Sequence, residues 1–332
     1  METLKFITFA DVHASVVNPA SRTGDYENDI FDKLKQIKTA GEKIKADFFL
    51  FAGDLFNLKA PMRNPHALNT KLIDLFKSFP APIYATEGNH DLRNDNYETF
   101  EEQPLQVIYS SGALHQARSV TLDIKGMRVR VRSFPFQEEP DLTAVPAIEG
   151  GADLNICLLH VYSTKEGGSL FHHKLYSYDE IAALGDDIFV IGHYHIDQGI
   201  HVLQKNGKQQ IFINVGAISR GTYSDEDLNR IPKIGLIYVD KKGSELSYTT
   251  KTARLSVRPF NEVFDVEKRE EDKKKIKEAE AFVSKLQSDL TVVTEEEDKI
   301  KIELANLDIE KAVLNKVIAL LDEADLNKKA LE

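Results

Sequence analysis

Cysteine is nearly missing from this chain. Cys157, in the apolar run Asn155-Ile156-Cys157-Leu158-Leu159, is the only one in 332 residues, which excludes an intrachain disulfide framework and makes a reducing cytoplasm the expected compartment. No window approaches the ~18 apolar residues of a membrane span, and residues 1–9 lack the basic start of a signal peptide, so a soluble protein is expected. Glycine, proline and histidine are all absent from residues 266–332, which carry 13 Lys+Arg and 18 Asp+Glu; all 18 Gly and 11 Pro lie earlier. That shift places a boundary near residues 261–266, between a turn-rich domain over 1–260 and a helical tail over 261–332. Positive charge is also short. With 42 Lys+Arg against 53 Asp+Glu the formal charge is −11, which repels a polyanion unless a metal site, a basic cluster or a partner supplies the attraction. What is present, 42% hydrophobic and 29% charged residues, can enclose a core and does not describe a disordered chain. The length suits one large catalytic unit with an appendage.

Over residues 4–86, short β-rich apolar runs (4–9, 48–51, 83–86) alternate with helical patterns (26–45, 66–79), which predicts a layered α/β unit. Further strands are expected over 120–124, 128–134, 156–159, 188–191, 201–204, 210–214 and 234–240, with a hairpin turn at Asn206-Gly207. Ser177 and Glu180 form a capping-box pattern for a short helix.

Polar blocks follow the apolar runs with regularity. Asp11-Val12-His13 follows the first strand, Gly53-Asp54-Leu55-Phe56 the second and Gly88-Asn89-His90-Asp91 the third, while His160 and Gly192-His193-Tyr194-His195 end two later ones. In layered α/β proteins the crevice beyond the carboxyl ends of the strands is where sites assemble. A single Asp-x-His or buried histidine is usually a hydrogen-bonded structural group. Five strand ends bearing carboxylate, amide and imidazole ligands, three of them with a turn-permitting glycine, point instead to a metal centre. Without thiolates the set suits manganese, iron or zinc. Asp-x-His and His-x-His on extended backbone put alternate side chains on one side, so two ions can be filled, leaving a positive cluster that attracts phosphate within an acidic protein.

These blocks resemble the calcineurin-like metallophosphoesterase superfamily over residues 11–195. The resemblance implies a four-layer α/β/β/α sandwich, here with a C-terminal helical, coiled-coil-like extension, and two divalent ions: manganese first, with iron, zinc or magnesium as alternatives. By that resemblance Asp11, His13 and His195 hold one metal, Asn89, His160 and His193 the other, and Asp54 bridges them. His90 resembles the histidine that touches the scissile phosphate and protonates the leaving oxygen. Within the superfamily, Gly-Asp-Leu-Phe with Gly-Asn-His-Asp is similar to the SbcD-type DNA-repair nucleases and their phage-encoded relatives. Protein Ser/Thr phosphatases carry an arginine shortly after Gly-Asp and Glu after Gly-Asn-His, where this chain has Phe56-Asn57 and Asp91. Many of the nucleases have His or Asp where Asn57 stands. The reading is therefore an exonuclease with endonuclease action on DNA ends. A small-molecule phosphodiesterase acting on nucleotides and a non-catalytic assembly subunit are the alternatives.

In the tail, apolar residues recur at a 3–4 spacing from Ile276 to Leu321, interrupted by Glu297 and Lys311, a seam that needs a partner. Thr291-Val292-Val293-Thr294 and the capping pattern Thr294 to Glu297 also allow a self-contained hairpin. The family resemblance implies an SMC-like ATPase of the SbcC type as the partner, and homodimerisation is the rival use of the seam. Arg93, His172 and His173 are candidate substrate contacts, with exposed loop positions as the plainer account.

Overall fold

The computed structural model describes residues 2–19, 22–137, 140–142, 151–170, 173–205, 207–221, 230–265, 267, 271 and 274. The chain divides into two units, Met1–Phe264 and Asp265–Glu332. The first holds all five polar blocks; the helical seam expected in the tail lies outside the described residues.

Two six-stranded sheets form the centre of the first unit. One runs β15 (Glu245–Arg254), β14 (Lys233–Lys242), β1 (Leu4–Phe9), β2 (Phe48–Phe51), β3 (Ile83–Ala85), β4 (His115–Gln116). The other runs β12 (Gly199–Lys205), β13 (Lys208–Asn214), β11 (Ile188–His193), β7 (Leu154–Val161), β6 (Met127–Phe134), β5 (Ser119–Ile124). In each, four adjacent strands are parallel: β1 to β4, and β13, β11, β7 and β6. Antiparallel neighbours flank them, β14 and β15 in the first sheet and β12 and β5 in the second.

Strands buried on both faces need apolar residues without polar alternation. In β2, Phe48 and Leu50 enter the core between the sheets with Val131, Ile156 and Ile188, whereas Phe49 and Phe51 face the opposite way. That outer face is covered by α1 (Tyr26–Ile44) and α2 (His66–Lys77) through Ile30, Leu34, Ile37, Leu68 and Leu72. On the far side Cys157, Leu159 and Phe189 pack with Tyr178 and Ile181 of the short helix α3 (Tyr178–Ala182), completing an α/β/β/α order of layers. The Asp25 side chain accepts from Asn28 N at 2.9 Å to start α1. The Ser177 and Glu180 capping box is formed, with Ser177 N donating to Glu180 Oε2 at 2.8 Å.

Boundaries differ from the sequence pattern where side chains intervene. The second helix stops at Lys77, where Ser78 Oγ turns back to Leu75 O at 2.6 Å ahead of Pro80. A three-stranded sheet, β8 (Ser163–Thr164), β10 (His173–Ser177) and β9 (Gly168–Leu170), occupies a stretch read as loop; its strands are too short to show a period. Among the described residues, no helix is long and apolar enough to cross a membrane.

Candidate metal centre

The carboxyl ends of β1, β2, β3, β7 and β11 carry the five polar blocks to one place. Their loops continue the sheet as a ladder: Asp11 N donates to Gly53 O at 3.0 Å, His13 N to Asp54 O at 3.0 Å and Ala14 N to Leu55 O at 2.8 Å. Asp11, His13, Asp54 and His193 all have left-handed backbone, with φ of 54°, 50°, 62° and 86°. For residues other than glycine this conformation is costly, and it marks sites where side-chain position outranks backbone comfort.

Two ligand clusters result, Asp11 with His13, Asp54 and His195, and Asp54 with His160 and His193. In each, the ligand atoms lie within 4.8 Å of one another, and Asp54 belongs to both. Asp54 Oδ2 is 3.6 Å from His13 Nε2 and 3.5 Å from His160 Nε2, and the Nε2 atoms of His13 and His195 are 3.0 Å apart. Most of these groups are fully buried, although His195 is exposed at the rim.

The residues fit cations on a specific observation. Asp11 Oδ2, Asp54 Oδ2, Asn89 Oδ1 and His160 Nε2 are buried and have no hydrogen-bond partner. Burying an unpaired lone pair is expensive, and a site that leaves several together is built for a cation. The other atoms of the same groups are held. Asp54 Oδ1 accepts from His90 N at 2.8 Å and Asp11 Oδ1 from His193 N at 3.1 Å, while His160 Nδ1 lies 2.7 Å from Ala52 O. A protonated Nδ1 bonded to that carbonyl leaves Nε2 of His160 as the lone-pair atom.

Charge follows the geometry. Burial holds His13 and His193 well below the ordinary histidine range, so both imidazoles are neutral, the form a cation can use. Burial also raises Asp11, whereas for Asp54 the imidazoles led by His160 outweigh burial and hold the carboxyl well below its usual range. Burial opposes a charge on His160, but the Asp54 carboxylate prevails and pushes it up to about 9, so a cation bound at Nε2 would take the place of a proton there.

His90 belongs to neither cluster. Its Nδ1 lies 2.8 Å from the Asn57 carbonyl oxygen and its ring meets that of His13 edge-on at 4.7 Å, so Nε2 is the atom left for a substrate. Because the backbone of Asn57 does the holding, the type of side chain there does not decide how His90 is oriented. Asn89 lines a cleft of about 620 Å3 together with His193, Phe136, Tyr162, Lys59 and Lys174. His173 lines it too, with its ring 5.7 Å from Tyr162. Arg93 turns to Glu102 at 3.0 Å on the exposed surface and does not line the cleft, and His172 lies outside the described residues.

Two contributors escaped the sequence reading. The buried Asp91 carboxylate accepts backbone N–H groups from Asp54, Leu55, Phe56 and Gly88 at 2.9–3.2 Å, clamping the Asp54 loop to the Asn89 loop. Burial, then the Asp54 charge, push it up to about 7 against the pull of those donors. Gly88 makes the approach possible, since a Cβ there would collide with Asp54 Oδ1. Tyr162 lies with its ring centroid 3.8 Å from that of His193. Its signal was the two-residue step from His160, which puts both side chains on one face of extended chain.

Among solved structures, a candidate 5′-nucleotidase from Staphylococcus aureus, in complex with alpha-ketoglutarate, is 16% identical over 77% of this chain, with a TM-score of 0.50. The present chain covers 54% of that protein, about half its length. The calcineurin-like phosphoesterase YfkN from Bacillus subtilis is 14% identical over 76% of this chain and 90% of its own, with a TM-score of 0.44. The first likeness establishes a shared fold. Residues 4–197, more than half of the chain and the stretch that carries every donor atom described above, match the calcineurin-like phosphoesterase family, so the chain belongs to that family of metal-dependent phosphoesterases.

Proposed function

We propose that this hydrolase is a two-metal DNA nuclease of the SbcD type, an exonuclease with endonuclease action that works on DNA ends with an SMC-like ATPase. The observation carrying the proposal is the lining of the cleft beside Asn89 and His193. Phe136, Tyr162 and Tyr176 supply aromatic faces, and Lys59, paired with Asp95 of the same cleft, Lys174, paired with Glu180, and His173 supply donor groups. Aromatic platforms interleaved with basic side chains suit the bases and phosphates of an unpaired strand.

Asp11, His13 and His195 would hold one divalent ion, Asn89, His160 and His193 the other, with Asp54 between them. The ions, manganese by preference for an oxygen and nitrogen donor set, supply Lewis-acid stabilisation of charge on the phosphoryl oxygens. Iron, zinc and magnesium are the alternatives. His90, held at Nδ1 by Asn57, delivers a proton from Nε2 to the leaving oxygen. Asp91 keeps the two loops in register through this step.

Manganese-dependent digestion of end-labelled duplex and single-stranded DNA, run beside bis-nitrophenyl phosphate and nucleotides, tests the reading. Cleavage of both DNA and the small diester is expected. A protein active on the small diester yet inert to DNA establishes the second reading, a small-molecule phosphodiesterase, which the cleft volume favours because small-ligand pockets span ~300–1,000 Å3. The ATPase partnership rests on the apolar seam of the tail. Deleting residues 266–332 should spare small-diester hydrolysis and abolish ATPase capture. A full-length dimer that becomes monomeric on truncation, with no ATPase capture by either form, makes the tail a homodimerisation device instead.

A further inference from the structure

A second cavity, of about 390 Å3, lies against α1 and is distinct from the metal centre in its lining residues. Arg22, Lys33, Arg220 and Arg258 line it, against the carboxylates of Asp29 and Asp32. Asp29 is already taken: Arg258 donates to its two oxygens at 3.0 and 2.8 Å, and Arg22 pairs with Oδ2 as well. Asp32 is paired at 3.2 Å with the exposed Lys35. Four cationic side chains are thus brought to one cavity in a protein whose formal charge is −11.

The donors there are incompletely paired. Lys33 is 4% exposed, and among the described residues its ammonium has no hydrogen-bond or ion-pair partner. Arg22 Nε is likewise buried without a partner. Lysine is almost never buried unless paired, and a buried guanidinium N–H without a partner carries the cost of lost water. Lys33 also stands on the face of α1 that otherwise delivers Ile30, Leu34 and Ile37 to the core, where an aliphatic residue would cost nothing of the kind. Core packing gives no reason for it; an anion in the cavity does.

We propose that the cavity lined by Arg22, Lys33, Arg220 and Arg258 is an anion site that takes a phosphate group. Guanidinium forks match the oxygens of phosphate, and an ammonium adds a point charge with three donors. Neighbours of the lining residues reach the backbone of the metal-centre loops. Tyr26, whose ring lies 5.2 Å from the Arg22 guanidinium carbon, donates from its hydroxyl to His13 O at 3.0 Å, and Ser219, next to Arg220, donates from N to Asp11 O at 3.2 Å. Burial, then the Arg22 charge, bring Lys33 down to about 7, so a phosphate arriving at pH 8 would draw a proton onto it.

Calorimetric titration of inorganic phosphate into the metal-loaded full chain and into Lys33→Met is the test. The wild type should show two classes of binding, one matching the inhibition constant of phosphate against bis-nitrophenyl phosphate hydrolysis and one belonging to the cavity. Lys33→Met should weaken only the second, by about tenfold or more, with turnover unchanged. Should the variant not fold, the wild type alone decides: repeating the titration at pH 8 in buffers of different ionisation enthalpy should reveal proton uptake with the second class. A single class equal to the inhibition constant, an unaltered second class in Lys33→Met, or no proton uptake would each overturn the proposal. Competition by 5′-phosphorylated and 5′-hydroxyl phosphorothioate oligonucleotides then identifies the source. Displacement by the phosphorylated strand alone assigns the site to a nucleic-acid end, and displacement by neither assigns it to free phosphate.

Discussion

Asp91 Oδ2 accepts the backbone N–H of Asp54 at 2.9 Å, so the residue placed between the two ligand clusters is itself held by a carboxylate that touches no cation site. Asp91→Asn puts an amide donor against backbone donors. Stability should fall by about 1–3 kcal/mol, the cost of stranding a buried donor, and metal affinity by about 10–100-fold as Asp54 loses its support. Denaturant unfolding and metal analysis after dialysis check both; unchanged metal affinity in a folded variant would remove the clamp from the account.

His90 lies outside both clusters and Asp54 inside both. His90→Ala should keep the full complement of metal while hydrolysis of bis-nitrophenyl phosphate drops about 10²–10⁴-fold. Asp54→Ala should lose metal. Elemental analysis beside turnover separates the two, and loss of a whole equivalent of metal from folded His90→Ala would defeat the division of roles.

Gly192 approaches the Ala52 carbonyl so closely that a Cβ would collide with it, and the same Cβ would come 3.0 Å from His160 Nδ1. Gly192→Ala should therefore dislodge His160 from its orienting carbonyl and weaken the cluster of Asp54, His160 and His193 more than the cluster containing His13. Competitive metal titration should resolve one weakened site and one near wild type; equal weakening of both would contradict the argument.

Lys33 carries a pH signature. Its pKa in the folded protein, about 7, lies below its unfolded value, so the unfolded chain binds the extra proton between about 7 and 10.5 and stability rises with pH across that window. In phosphate-free buffer Lys33→Met should exceed the wild type in Tm most at and below pH 7, with the gap closing toward about pH 10.5. Thermal unfolding of both proteins at pH 6.5 and 9.5 is the measurement, and a gap independent of pH rules the explanation out.

Much of the site is legible in the amino-acid sequence because one physical rule, polar blocks at the ends of apolar strands, applies five times over. Asp11, His13, Asp54, His160, His193 and His195 meet as those blocks suggest, and β1 and β2 begin and end where their apolar runs do. What stays hidden depends on contacts that no local pattern encodes. Asp91 is the fourth residue of a visible block, but only the folded chain brings the N–H groups of Asp54 to Phe56 against it. Lys33 reads as one charge on an amphipathic helix, and only the folded chain shows it buried beside a cavity that Arg22 and Arg220 also line. The strands of the small sheet are too short to beat the noise of a glycine-containing loop.

Cys157, fully buried on β7 between the second sheet and its covering helix, gives the molecule a single timed fuse. Burial pushes the thiol well above its usual pKa, so a disulfide reagent reacts only once that layer has parted and water has reached the sulfur. No second thiol competes, and the modification curve should be one exponential whose rate reports how often the sheet carrying His160 and His193 opens. A divalent cation that takes His160, His193 and Asp54 as its ligands should lengthen the fuse without touching the sulfur.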